Sequence, residues 1–504
     1  MLVRADGLTF GNAVSYQELT GYNYGYSLDS WFGQLSYDYA EKYFINGALR
    51  ADGSSRFAKG NRWGTFGSVG AAWNVTKEDF LRDVTWLRNL KLKASWGVTG
   101  NQSLDGAGDL GISAYYPYTD MYTIRNMNDA PSIVFNRKGN KDLTWEKTQN
   151  VNVGVEFDIA GIVEGEVDYF NRLTSDLLFL RSTALSQGYA SIPVNDGKMR
   201  NAGVEFSLTA HAVKTKDVSL DIRLNGSHYK NSIVELPMDG ESGNRMDFYQ
   251  YTSRYTWVKG GSIYDFYMPT YKGVDSETGY ALYKTLNAVD AAGNVLQKNV
   301  TDVELYKKNH KGEQYSLVEG TPTSNWTEAA SDFVGKSATP KLTGGFGFDL
   351  RVKDFSLSTT FTYSLGGYAY DYVYAHLMGD GELGTYNWHK DMGNRWTKAG
   401  DVTDVPALTN GTTLGNYANA RSTRFLTKRN YLQLSNIRLA YNFPESLTSR
   451  LGGMHGAQIY ATGENLFLLS ARKGFMPGTT SDGMTSNTQY LPSSSFTVGL
   501  KFNF

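Results

Sequence analysis

Carboxylates at alternate positions are the residues of this sequence whose spacing could do chemistry. Glu164, Glu166 and Asp168 would share one face of a strand, because alternate residues of a strand point to the same side. Carboxyl groups placed close together could serve as a general acid and a general base. Alternatively, the strand could line the water-filled lumen of a β-barrel, where charged groups keep the wall hydrated. Lys91 and Lys93 fit the same interpretation. We predict a hydrated wall here, not a catalytic cluster.

Other chemical sites have weaker support in the sequence. The turn at residues 275–279 contains Asp275 and Glu277, but it lacks the twelve-residue spacing and closing glutamate of a calcium loop. The six histidines form no metal-spaced group, there is no cysteine, and His211 is expected on a polar strand face. No phosphate-binding loop, dinucleotide fingerprint or nucleophile elbow occurs. The sequence therefore predicts a surface turn, no catalytic residue, no metal and no cofactor.

The elements that position these residues are strands with one apolar and one polar face. Such strands, about ten residues long, are typical of a membrane β-barrel with a wet lumen. A soluble antiparallel sheet is the alternative, but runs of 10–13 residues exceed the usual strand length of about 5–6 in globular sheets. The alternation is clearest in the last eleven residues, whose apolar positions are Phe496, Val498, Leu500, Phe502 and Phe504.

The composition agrees with a membrane barrel. Of the 504 residues, 35 are Tyr, 25 Phe and 10 Trp, and membrane barrels place aromatic residues in girdles at both lipid interfaces. No apolar run reaches the 18 residues that a transmembrane helix requires. The net charge of -1 gives no strong field toward nucleic acid. We therefore expect an all-β transmembrane antiparallel barrel.

About 13 strands are predicted, and their connections alternate in length. The strand candidates lie near residues 30–40, 43–52, 63–74, 89–98, 147–158, 163–176, 203–213, 217–228, 342–352, 355–365, 430–443, 456–467 and 494–504. If the last strand ends in the periplasm, the external loops are 53–62, 99–146, 177–202, 229–341, 366–429 and 468–493. The internal turns are then 41–42, 75–88, 159–162, 214–217, 353–354 and 444–455. Only the pair 53–62 and 75–88 breaks the rule of long external loops and short internal turns.

The predicted strand number is too small for a complete barrel. Bacterial single-chain barrels have even strand numbers, and an open edge in lipid leaves backbone groups without hydrogen-bond partners. The first residues, from Met1 to Asp6, also have no apolar core or cleavage site of a signal peptide. We therefore expect further strands upstream of Met1.

Several motifs resemble the SusC/RagA family of TonB-dependent outer-membrane transporters. They occur in family order from about residue 42 to Phe504, whose terminal segment resembles a signal for barrel-assembly machinery. The most specific of them are RADGSSRF at 50–57, NRWG at 61–64, LKLKASWG at 90–97, LTWEKT at 143–148, TSDLL at 174–178, GKMRNAGVE at 197–205 and GENLF at 463–467.

This resemblance implies a domain organisation and a function. Family members have a signal peptide, a periplasmic domain, a plug and a 22-stranded barrel, so residues 1–504 would be the C-terminal part of the barrel, without the plug and N-terminal periplasmic domain. The implied function is active import of oligosaccharides or oligopeptides across the Gram-negative outer membrane. The implied partners are a SusD-like surface lipoprotein, the TonB complex and outer-membrane lipid. No enzymatic activity and no nucleic acid are implied.

The long loops would contact the substrate, because aromatic faces pack against sugar rings or peptide side chains. Many of these aromatic residues are instead expected to pack the loop itself. Rival interpretations are a siderophore or cobalamin receptor, a passive porin or adhesin barrel, and a soluble β-rich enzyme. The loop at 229–341 is richest in candidates, with Tyr249, Tyr251, Tyr255, Trp257, Tyr264, Phe266, Tyr267, Tyr271, Tyr280 and Tyr283.

Overall fold

A single large antiparallel sheet organises the chain. The computed structural model describes residues 3–5, 8–10, 25–104, 115–127, 130–379, 387–408, 417–448, 454–478, 480, 482–485 and 491–504. Within these residues the sheet has 13 strands, and each strand pairs with its neighbours in chain order. The predicted loops 99–146, 366–429 and 468–493 and the predicted turn 444–455 lie partly outside the described residues.

The strands of the sheet follow the predicted candidates. The largest difference is in one hairpin, which begins at Lys198 and ends at Glu235, beyond the predicted limits at 203 and 228. The strands are β1 (Leu28–Tyr39), β2 (Tyr43–Ser54), β3 (Trp63–Asn74), β4 (Leu87–Asn101), β5 (Glu146–Ile159), β6 (Val163–Ser175), β7 (Lys198–Lys214), β8 (Val218–Glu235), β9 (Leu342–Val352), β10 (Phe355–Leu365), β11 (Tyr431–Phe443), β12 (Gly456–Ser470) and β13 (Ser495–Asn503). Strands β1 and β13 are the two edges within the described residues.

One face of the sheet is apolar across the successive pairings. Leu92 of β4 lies opposite Val155 of β5, Val155 opposite Val167 of β6, and Val167 opposite Phe206 of β7. Many side chains of this face are exposed, among them Leu35, Leu49, Val153, Leu439 and Val498. An exposed, contiguous apolar face is the surface that a barrel wall presents to lipid.

The opposite face is polar in the same register. Lys91 of β4 lies opposite Glu156 of β5, and Glu156 lies opposite Glu166 of β6. Glu166 is followed by Ser207 of β7 and then by Asn225 of β8. The apolar and polar faces therefore form two continuous surfaces, as the period of two predicts.

The connections alternate between the two ends of the sheet, as predicted. Short turns at 40–42, 160–162, 215–217 and 353–354 join strands at one end, and long connections such as 236–341 join them at the other. The turn between β1 and β2 is tight, because Ala40 and Glu41 both have φ of 55° and Lys42 N donates to Tyr39 O at 3.0 Å. The predicted exception to the length rule is also observed, because the internal connection 75–86 is longer than the external loop 55–62.

The long connections contain short elements of their own. Helices α1 (Val303–Asn309) and α2 (Tyr372–Leu377) lie in two of them, and α3 (Glu445–Thr448) lies at the other end of the sheet. Within the described ranges, no helix is long and apolar enough to cross a membrane. The additional strands are Val3–Ala5, Leu8–Phe10, Met121–Met127, Ala130–Arg137, Leu178–Ser182, Ser191–Asn195, Phe248–Gln250, Thr256–Val258, Asp265–Pro269, Tyr271–Val274, Ala281–Tyr283, Leu286–Val289, Val295–Gln297, Ser316–Glu319, Ser331–Ser337, Tyr368–Tyr370 and Leu426–Lys428. Short 3₁₀ helices occur at Val75–Lys77, Asp79–Leu81, Leu185–Gln187, Trp326–Glu328, Lys390–Asn394, Tyr417–Asn419 and Thr423–Phe425.

Candidate functional site

The long connections pack together into one layer, which we call the loop cap and define as the described parts of residues 236–341, 366–430 and 471–494. Its largest apolar cluster contains Phe266 and Met268 from the first connection and Met378 and Phe425 from the second. All four side chains are nearly inaccessible to solvent. The loop cap is therefore a packed structure with its own core, because burial of this kind is what stabilises a folded domain.

Arg429 joins three segments of the loop cap. Its Nη1 donates to Ala338 O at 2.7 Å, its Nε donates to Pro477 O at 3.0 Å, and its Nη2 donates to Thr480 O. Burial lowers the pKa of Arg429, but a guanidinium group keeps its charge in proteins. The arginine therefore donates to backbone carbonyl groups from separate loops at once.

A buried ion pair connects the second and third connections. The Asp371 side chain is fully buried, and its Oδ2 accepts from Arg472 Nε at 2.8 Å and from Arg472 Nη2. Its Oδ1 accepts from Tyr374 N at 3.1 Å, which caps helix α2, and from Thr485 Oγ1 at 3.2 Å. Charge-assisted bonds to a fully buried carboxylate hold this part of the loop cap in one arrangement.

Between the loop cap and the ends of strands β4, β5, β7 and β8 lies a cavity of about 510 Å³, which we call the aromatic cleft. The rings of Tyr251 and Trp257 stack with centroids 4.5 Å apart and planes 20° apart. Tyr249 lies between Trp257 and Phe179, with ring centroids at 5.5 Å and 4.9 Å. Burial raises the pKa of Tyr249. Tyr251 keeps 46% of its surface exposed, so its ring is available to a ligand.

The two carboxylates of the aromatic cleft are already hydrogen bonded. Glu146 Oε1 accepts from Asn101 Nδ2 at 3.3 Å, and its Oε2 accepts from Leu178 N at 3.1 Å. Glu235 Oε2 pairs with Lys198 Nζ at 2.8 Å, and its Oε1 pairs with Arg245 Nη2 at 2.7 Å. The remaining lining is mainly apolar and includes Leu177, Leu178, Leu180, Met199, Ile233, Leu236, Pro237 and Ile263.

A second concave region lies on the polar face of strands β2 to β6 and has a volume of about 680 Å³. Its polar lining consists mainly of neutral amides and hydroxyls, with two arginines. We call it the amide groove and define it by Asn46, Arg50, Ser68, Ser95, Thr99, Thr148, Asn150, Asn152 and Arg172. Such groups can donate to and accept from neutral polar ligands.

The predicted carboxylate cluster is a wall of ion pairs on the polar face. Lys93 Nζ contacts Glu166, and it also lies 3.6 Å from Asp168 Oδ1. Glu164 lies 3.8 Å from His211 Nε2, and the Glu164 side chain is 53% exposed. Alternating positive and negative groups in open contact with water suit a hydrated wall. Lys91 lies on the same face, with its Nζ 5.1 Å from the ring centre of Phe44.

His211 occupies the polar strand face that the sequence predicts. Its Nδ1 lies 2.6 Å from Asp221 Oδ1 of the neighbouring strand. The predicted turn at 275–279 is an ordinary surface turn, in which Asp275 Oδ1 accepts from Glu277 N at 2.9 Å, and this bond lowers the pKa of Asp275. Among the described residues, no three His, Cys, Asp or Glu side chains group closely enough to hold a metal ion.

The aromatic residues predicted in loop 229–341 divide into three groups. Tyr255, Phe266, Tyr267 and Tyr283 are buried in the loop cap, and burial raises the pKa of the three tyrosines well above the ordinary value. The aromatic cleft is lined by Tyr249, Tyr251, Trp257 and Tyr264. Tyr271 and Tyr280 are partly buried and lie outside the cleft lining.

Sequence reasoning missed part of the aromatic cleft. Glu146 and Lys198 are the first residues of strands β5 and β7, and Phe179 lies in the connection between β6 and β7, all far from Trp257 in the chain. A usable signal existed, because Glu146 and Lys198 lie within the motifs at 143–148 and 197–205 that carry the family resemblance.

Comparisons with known proteins give consistent findings. The sequence matches the TonB dependent receptor-like, beta-barrel family over residues 3–466. It is 29% identical to TonB-dependent receptor P3 of Formosa agariphila over 98% of this chain and 48% of that protein. It is 27% identical to TonB-dependent receptor SusC of Bacteroides thetaiotaomicron over 97% of this chain and 45% of that protein. The chain therefore spans about half the length of the curated relatives it matches.

The fold is similar to that of a solved transporter. The structure of the RagAB peptide transporter superposes with a TM-score of 0.75 and 28% sequence identity, over 95% of this chain and 48% of that chain. A "closed-closed" state of the RagAB peptide importer gives a TM-score of 0.76 at the same identity. The fold of this chain is thus similar to that of a known importer.

Proposed function

The chain belongs to the family of TonB-dependent receptor-like β-barrels of the outer membrane, and we propose that it forms part of the wall of a SusC-like importer for oligopeptides or oligosaccharides. The observation that carries the proposal is the similarity to SusC and RagAB along almost the whole chain. The apolar outer face, the hydrated inner face and the packed loop cap all suit this role.

In the proposed mechanism, the barrel positions the substrate and does no chemistry on it. The substrate is captured at the loop cap, beneath a SusD-like surface lipoprotein that acts as a lid. The TonB complex then pulls on a plug domain and opens a path along the polar inner face. We propose that the plug, the periplasmic domain and the strands that complete a 22-stranded barrel lie outside residues 1–504. The share of the relatives that this chain covers supports that arrangement.

The test is substrate uptake by the native bacterium. The gene for the full-length protein is deleted, and the entry of fluorescent oligopeptides and oligosaccharides is measured with and without a protonophore. We expect one substrate class to be lost on deletion, restored by the wild-type gene, and abolished when the proton-motive force collapses. Uptake that depends on the protein but survives the protonophore would indicate a passive pore and would refute the active mechanism.

The lipoprotein partner has a separate test. The tagged full-length protein is purified from outer membranes in mild detergent, and co-purifying proteins are identified by mass spectrometry. We expect a surface lipoprotein in stoichiometric amount. A preparation that transports substrate but contains no lipoprotein would rule out the lid.

A further inference from the structure

We infer that the aromatic cleft binds a bulky apolar side chain of an oligopeptide. This inference rests on the proposed import function and narrows it to one class of ligand. The cleft has the size and the mainly apolar lining of a small-molecule binding site. Its most accessible ring is Tyr251, which is stacked on Trp257 and supported through Tyr249 and Phe179. A stacked, supported ring is a rigid apolar platform for a ligand.

The hydrogen bonds of the cleft distinguish a peptide side chain from a sugar. A sugar ring brings several hydroxyl groups, each of which needs a partner once it leaves water. Both carboxylates of the cleft are already engaged, Glu146 by Asn101 and Leu178 N, and Glu235 by Lys198 and Arg245. The aliphatic wall has no donors or acceptors, so a sugar ring would have mainly the tyrosine hydroxyls and the remaining lone pairs of the two carboxylates as partners. An apolar side chain requires none, so it suits this lining better.

The surface next to the cleft suits the backbone of the same ligand. Asn101 and Glu146 line the cleft, while Thr99 and Thr148 line the amide groove. On each strand the two residues are two positions apart and share one face, so the cleft and the amide groove adjoin at about 7 Å. Asn150 and Asn152 continue the amide groove along β5. Amide side chains can pair with peptide N–H and C=O groups, which would align an extended peptide along this face.

The inference is tested by binding of defined probes to the purified full-length protein in detergent. The probes are acetylated pentapeptides Gly-Gly-X-Gly-Gly, in which X is Phe or Ala, and maltoheptaose as the oligosaccharide. We expect the Phe peptide to bind more tightly than the Ala peptide. The substitutions Tyr251→Ala and Trp257→Ala should each weaken Phe-peptide binding about tenfold and leave the Ala peptide unchanged.

Two further variants control for folding and for loss of any aromatic residue. Trp257→Phe keeps a ring in place and should retain most of the preference for Phe over Ala. Trp388→Ala removes an exposed tryptophan outside the cleft and should leave both affinities unchanged. If Trp257→Ala does not fold, Tyr251→Ala remains informative, because nearly half of that residue is exposed.

The assignment of the aromatic cleft and the proposed import function can be refuted separately. If the wild-type protein binds the Phe and Ala peptides equally, or if the cleft variants bind like the wild type, the cleft assignment is overturned. The uptake results of the deletion strain would then still decide the import function. If the same variants weaken maltoheptaose instead, the cleft binds a saccharide and the peptide inference is wrong. Absence of any uptake defect on gene deletion would refute the import function itself.

Discussion

Replacing Arg472 with methionine should loosen the loop cap more than any change to its surface ion pairs. Arg472 pairs with Asp371, whose side chain is fully buried, whereas the Arg472 side chain is 23% exposed. Methionine keeps a long apolar side chain beside Tyr374 and Phe475, the rings on which the guanidinium lies. The variant therefore removes mainly the charge and its hydrogen bonds, and leaves the Asp371 carboxylate uncompensated.

The cost can be worked out from the burial of the two partners. Breaking a buried ion pair by removing one partner costs about 3–5 kcal/mol, and we expect about 3 kcal/mol because Arg472 is partly exposed. Asp371→Asn should cost about 1–2 kcal/mol, because its Oδ1 can still cap helix α2 and Arg472 can turn toward water. The double variant should be more stable than Arg472→Met alone, since it buries no unpaired charge.

The assay is amide hydrogen exchange of the full-length protein in detergent, read by mass spectrometry on peptides from helix α2 and from residues 482–485. A loss of about 3 kcal/mol corresponds to exchange roughly 100-fold faster where local opening controls it. The control is Lys311→Met, which breaks the exposed pair with Asp247 at 2.9 Å and should change exchange by about twofold or less. Equal effects of the two single variants would refute the reasoning, as would a double variant as labile as Arg472→Met.

Two further predictions concern the wall and the tyrosines. Val153→Arg, on the outer face in the middle of β5, should destabilise the protein in liposomes by about 2–4 kcal/mol. Asn152→Arg, on the inner face of the same strand, should have little effect on stability. Equal losses of stability of the two variants in urea unfolding would contradict the assignment of the two faces. Burial raises the pKa of Tyr271 to about 12, and burial with a hydrogen bond to Asp391 raises the pKa of Tyr374 to about 12. Both phenols hold their protons more tightly in the folded protein, so their contribution to stability is complete below the ordinary pKa of about 10 and is lost as the pH rises toward 12. Ultraviolet absorbance titrations of the wild type and of Tyr271→Phe or Tyr374→Phe check this, because the difference between the two curves reports the single phenol that was removed. A difference that titrates at the ordinary tyrosine pKa would be inconsistent with burial.

The strands could be predicted from the sequence because lipid and water impose opposite demands on alternate residues. For the same reason, the predicted strands 203–213 and 217–228 were too short at the ends of β7 and β8 that lie toward the loop cap. Beyond the apolar stretch, the outer positions become polar, with Arg200 on β7 and Lys230 and Ser232 on β8. The outer face is then polar, while the inner face mixes the polar pair Asn201 and Asn231 with the apolar pair Met199 and Ile233. The alternation therefore disappears although the strands continue to Lys198 and Glu235. A pattern that depends on lipid contact is lost where the contact stops.

The loop cap could not be predicted in the same way, because no period defines it. The sequence showed that loop 229–341 was rich in aromatic residues, but not which of them would meet. Phe266 and Phe425 share one core although they lie in separate connections, and Phe179 reaches Tyr249 from another loop. Such contacts depend on how the strands arrange the loop ends in space. Only the packed structure separates buried tyrosines from those that face the aromatic cleft.

At the aromatic cleft, the inner face of the sheet changes from polar to apolar. This change supports a role in binding an apolar ligand independently of the volume of the cavity. Along β7 and β8, the paired inner residues Asn201 and Asn231 are polar and hydrogen bonded to each other at 2.8 Å. The next inner pair toward the loop cap is Met199 opposite Ile233. A wall that only bounds a water-filled lumen has no reason to place an apolar pair there. Ile233 is 5% exposed and lines the cleft, so the polar face turns apolar in the same cleft that Tyr251 and Trp257 line.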